Sequence, residues 1–138
     1  MTNEVTALLL WIATNSGYEL TELQPNIVMV EPYTLCRLYG IQEHRQCELL
    51  KLKGIYNKGF TIYLRNDFDL SDIEDRSRLA HELVHWVQWQ NGHNETTRCM
   101  GKLETEAYQL QDKWRAQYGL PPKRDEFTMM MLEASCES

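Results

Sequence analysis

The chain has 138 residues, of which 43% are hydrophobic and 25% charged, the size and make-up of a single globular unit with a buried core. Net charge is −6, and the basic residues are scattered as Lys51 and Lys53, Arg76 and Arg78, Lys113 and Arg115, Lys123 and Arg124. Without a basic stripe, the electrostatic attraction that dominates nucleic-acid affinity is missing, so no nucleic-acid partner is expected.

The most apolar run, VTALLLWIA from Val5 to Ala13, is far shorter than the roughly 20 residues that cross a bilayer. Val5, Leu8, Leu9 and Ile12 fall on one helical face, predicting an amphipathic helix that stops at NSG. Glu4 is the one charged side chain before the run, which lacks the positive start of a secretory signal. No membrane association is expected, and a cytoplasmic location is. NIVMVEP then reads as a short strand closed by Pro32.

CELLKLKGIY and FTIYLRNDF predict two further strands, joined by a hairpin at NKG. In the second, Phe60, Ile62 and Leu64 alternate with Thr61, Tyr63 and Arg65, the period of a half-buried strand. Cysteines 36, 47, 99 and 136 form no CxxC pair and read first as buried free thiols, with one or two bridges expected only in an exported protein. His44 and Cys47 have ligand-like spacing, but no second pair accompanies them.

The most strongly signalled helix is DLSDIEDRSRLAHELVHWVQWQNG. Ser71 with Glu74, or Asp72 with Asp75, can cap its start, and Asn91 and Gly92 its end. A second long helix covers KLETEAYQLQDKWRAQY, where Leu103, Ala107, Leu110 and Trp114 recur at helical spacing, and it ends at Gly119 and the two following prolines. RDEFTMMMLEA predicts a last short helix whose Phe127, Met130, Met131 and Ala134 pack into the core.

Two histidines four apart share a helix face, so His81 and His85 can grip one ion. Neutral imidazole suits Zn²⁺. Glu82, one residue along, is offset from that pair and is placed as general base toward an activated water. Catalytic zinc commonly takes three protein ligands, and the second helix offers Glu104 and Glu106. These lie about 200° apart around the helix. Glu104 borders the apolar stripe and is the expected third ligand, while Glu106 is expected to face solvent.

HELVH followed by LETEAY resembles the gluzincin peptidases, in which a glutamate on a following helix, often in an ExxA context, completes the HExxH site. Glu104 and Ala107 match that context. The 19-residue step from His85 to Glu104 resembles the minimal single-domain zincin-like proteins of bacteria and phages. The likeness covers residues 60–118.

The resemblance implies an α+β, zincin-like fold over residues 1–138, a small, mostly antiparallel sheet packed on the HExxH helix and a second long helix. It implies a zinc metallopeptidase acting on a peptide or protein substrate, with FTIYLRN as the substrate-pairing edge strand or as a merely structural one. Tyr108 stands where many relatives carry Asp or Asn to support a histidine ligand. Tyr108 and His93 are candidates for stabilising the oxyanion. Trp86 and Trp89 are expected to pack in the core, with Gln88 on the surface. A silent zinc-binding interaction domain is the alternative, although a purely structural site has no need of Glu82.

Overall fold

The computed structural model describes residues 3–50, 52, 54–57, 61–94 and 98–136. Helix α1 (Asn3–Ser16) leads into strand β1 (Asn26–Val30), followed by two short helices, α2 (Pro32–Leu38) and α3 (His44–Leu50). Strands β2 (Gly54–Asn57) and β3 (Thr61–Arg65) precede the long helices α4 (Ile73–Gln90) and α5 (Met100–Gln117), and α6 (Glu126–Ala134) closes the chain. The fold class is α+β, as the sequence predicts.

The sheet differs from expectation. Its order is β1-β3-β2, with β3 parallel to β1 and antiparallel to β2, so it is mixed rather than mostly antiparallel. A parallel neighbour requires a long crossover, and α2, α3 and β2 supply it. The strand expected at the edge, FTIYLRN, is the central one. The edge beside the long helices is β2, which packs on α4. Phe60 and the predicted turn around Lys58 and Gly59 lie outside the described residues.

Ile62 and Leu64 of β3 are buried, and so are Val5, Leu8, Leu9 and Ile12 of α1, as their periodicity predicts. They meet Leu79, Leu83, Trp86 and Val87 of α4 and Ala107, Leu110 and Trp114 of α5 in one core. Asp72 caps α4 by accepting hydrogen bonds from the Glu74 and Asp75 amides, satisfying two donors that a helix start leaves without partners. Gly92 takes φ 80° just past the end of α4, a left-handed conformation that glycine adopts without penalty.

Three expectations are corrected. CELL belongs to α3, not to a strand; the strand before Pro32 does end at Val30, and Pro32 opens α2 at its first turn, where its missing N–H costs nothing. The cysteines are not free thiols: Cys36 is bonded to Cys47 and Cys99 to Cys136, each pair with Cα atoms 5.7 Å apart. The first bridge staples α2 to α3, and the second ties the end of α6 to the start of α5. Finally, α6 has no buried residue, and Phe127, Met130 and Met131 are exposed rather than in the core. No helix among the described residues is long and apolar enough to cross a membrane.

Candidate metal centre

Helices α4 and α5 run antiparallel, as their side-chain bonds show: Gln88 reaches Leu103, and Arg115 reaches back to Glu74 and Ser77. Buried Ala107 lies between them. This pairing brings His81 and His85 from successive turns of α4 opposite Glu104 of α5. One ligand atom from each lies within 4.8 Å of the others. The Glu104 carboxylate faces both imidazole Nε2 atoms, at 3.3 Å from His81 and in closer contact with His85.

What holds the rings in this orientation is a matched pair of glutamines that the sequence reading did not identify. The Gln111 carbonyl oxygen lies 3.1 Å from His81 Nδ1, and that of Gln88 lies 2.9 Å from His85 Nδ1. Each amide is fixed in turn. Gln111 donates to the Ser77 backbone carbonyl and hydroxyl, at 3.1 and 3.0 Å. Gln88 donates to the Leu103 carbonyl and to Glu106, at 3.0 and 2.9 Å. With the NH₂ groups committed to acceptors, both oxygens must face the rings, so each Nδ1 carries a hydrogen and each Nε2 is turned toward Glu104. Gln88 is 1% exposed, which overturns its expected surface role. The available signal was a polar residue one turn after His85, and, for Gln111, one beside the apolar stripe of α5.

Electrostatics follow from this geometry. Burial alone would raise the Glu104 pKa, but hydrogen bonds from His81 and His85 outweigh it and hold the carboxyl far below its usual range. Burial alone would lower the His85 pKa, but the Glu104 carboxylate beside it more than offsets that and raises it. Two imidazole edges gathered around one carboxylate, with positive charge favoured between them, form a donor set suited to a divalent cation.

Glu106, the rejected ligand, does point away from the centre, but not to solvent. Its carboxylate accepts from Tyr18 at 2.5 Å and from Gln88 at 2.9 Å, with Arg98 3.5 Å away. Burial and this carboxylate push the Tyr18 phenol up to about 12.

The centre opens into a cleft of about 760 Å³ whose walls include Glu82, Trp89, His93, Tyr108 and Arg124. Glu82 stands on the β2 side, where its Cγ is 3.9 Å from where a side chain on Gly54 would begin. The Tyr108 ring lies 4.3 Å from that of His81. Its hydroxyl accepts a 2.8 Å hydrogen bond from Arg124, whose guanidinium also lies 4.6 Å from the ring centre. Trp86 is in the core, whereas Trp89 is half-buried and faces the cleft. His93 packs against Tyr18. The second pairing that the sequence offered, His44 with Cys47, forms no metal group: Cys47 is disulfide-bonded and His44 stacks on Tyr33.

The sequence profile of one family, described as Domain of unknown function (DUF6647), matches residues 1–138, and the chain belongs to that family. Comparison with curated proteins and with solved structures gives no match.

Proposed function

We propose that this protein is a zinc-dependent metallopeptidase of zincin-like architecture, with His81, His85 and Glu104 as the protein ligands. The observation that carries this reading is the presence of Glu82 in the same cleft as a three-residue metal group whose histidines are both oriented through their other nitrogen. A purely structural zinc commonly has four protein ligands, whereas a catalytic one keeps a position open.

Zinc held there would polarise a scissile carbonyl and acidify a water molecule. Glu82 would serve as the general base that takes a proton from the attacking water and as the acid that returns it to the departing amine. Tyr108, whose ring packs on His81 at the cleft wall, is our choice of donor to the developing oxyanion. Because Arg124 donates to the phenol oxygen, the phenol's own hydrogen remains available for that contact. Edge strand β2, beside Glu82, takes over the substrate-pairing role first assigned to β3.

The cytoplasmic expectation stands against the two disulfides, which persist in oxidising compartments. The bridges favour a location such as the periplasm or cell exterior.

The test compares cleavage of a broad peptide library by zinc-loaded wild type and Glu82→Gln. Cleavage by the wild type should fall by at least about 100-fold in the variant. If zinc binds but the wild type cleaves nothing, the silent zinc-binding domain is the better description.

A further inference from the structure

The cleft has two chemically different ends. Arg78 lies one turn before His81 on α4, and Trp89 one turn after His85. At 1.5 Å per residue they stand about 16 Å apart along the helix axis, with the metal group between them. Arg124 joins the Arg78 end, since it binds Tyr108, whose ring packs on His81. Lys123 precedes it and also lines the cleft. At the other end, Trp89 is accompanied by Met100 and Leu103 of α5, with Leu103 placed there by the bond from Gln88 to its carbonyl.

Three cations converging on one cleft are notable in a chain of net charge −6. Among the described residues, no salt bridge joins Arg78, Lys123 or Arg124 to a carboxylate. Of the nearby acids, Glu74 bonds to Arg115 and Glu104 to the two histidines, each reaching these cations only through space, and Glu82 shares the cleft. Cations that line one concave wall without a salt-bridged carboxylate among the described residues favour an anionic ligand, and Arg124 keeps donors to spare beside its bond to Tyr108.

We propose that Arg78, Lys123 and Arg124 form a carboxylate-binding subsite, and that the cleft takes a peptide with a carboxylate at this end and a bulky apolar side chain against Trp89, Met100 and Leu103 at the other. This rests on the peptidase reading and specifies its substrate class. The carboxylate comes from an acidic side chain or from a free C-terminus. An extended chain covers the span in about five residues.

Calorimetric titration of zinc-loaded Glu82→Gln protein tests the subsite without catalysis. The probes are hexapeptides carrying Phe about five residues from Asp, in both orders, each with an Asn counterpart and with a free or amidated C-terminus. Carboxylate peptides should bind about tenfold more tightly than their neutral counterparts, and the advantage should shrink with added salt. It should drop below about twofold when Arg78, Lys123 and Arg124 are all replaced by Gln, and survive in Arg124→Lys. Tighter binding of the Asp peptides alone identifies a side-chain carboxylate as the ligand; tighter binding of the free-acid peptides alone identifies a chain end.

Equal affinity for acid and neutral peptides, no binding of any peptide, or discrimination that persists in a folded triple variant overturns the proposal. Wild-type cleavage of the same peptides separates it from the broader reading. Cleavage with no carboxylate preference removes the subsite and leaves the peptidase intact. Carboxylate-dependent binding without cleavage removes the peptidase and leaves the subsite.

Discussion

Gln88 and Gln111 decide which nitrogen each histidine offers. A ring free to rotate would present either edge to an ion, whereas here both Nδ1–H groups are held by carbonyls whose own amides are anchored. Removing such a support typically weakens a metal site by about 10- to 100-fold. Gln88→Ala and Gln111→Ala should each lower zinc affinity by that factor in a chelator competition. Unchanged affinity in both would show that the amides do not orient the ligands. The raised His85 pKa yields a second expectation. A proton favoured on the metal-free site must leave when zinc arrives, so binding should release protons and weaken as pH falls. Calorimetry in buffers of different ionisation enthalpy measures that release, and its absence would place the zinc elsewhere. The two histidines were legible in the sequence because a four-residue step puts them on one helix face, and Glu104 because it borders the apolar stripe of α5 and matches an ExxA context. The glutamines were not, because their partners depend on how α4 and α5 pair.

At the scale of elements, two glycines set close approaches. A Cβ on Gly54 would lie 2.9 Å from buried Leu64 Cδ2 and 3.3 Å from the Tyr63 carbonyl oxygen. Gly101, in the first turn of α5, faces the end of α6: a Cβ there would overlap the Leu132 carbonyl oxygen and lie 2.9 Å from Ser135 Oγ. Gly101→Ala should therefore push α6 off α5 and cost about 1 to 3 kcal/mol in denaturant unfolding. A stability equal to wild type would mean that α6 does not sit tightly there. Periodicity identified α1 and α5, with cap and stop residues marking α4 and the alternation of Ile62 and Leu64 marking β3. It misplaced CELL, because a seven-residue helix has too few turns to show a period and α3 is tethered to α2 through Cys36 and Cys47. It also misassigned the apolar side chains of α6, which docks through its C-terminal end and leaves Phe127 and Met130 exposed.

For the whole molecule, the bridges close loops of different length, with 11 residues separating Cys36 from Cys47 and 37 separating Cys99 from Cys136. Cross-linking restricts the unfolded chain more when the loop is longer. Reduction should lower stability by about 2 to 5 kcal/mol in total, and replacing Cys99 and Cys136 by Ser should lower the melting temperature more than replacing Cys36 and Cys47. A melting temperature unchanged by reductant would show that the thiols are not bridged in solution. Pairings of this kind are not deducible from sparse cysteines, and the mixed sheet was hidden for a related reason: strand order depends on a crossover, which local alternation does not encode.

The most direct test of the metal centre is diffraction from zinc-soaked crystals on either side of the zinc absorption edge. The account requires a single strong anomalous peak with His81 Nε2, His85 Nε2 and a Glu104 oxygen each about 2.0 to 2.2 Å away. No peak there, or a zinc bound without one of these three side chains, would contradict it.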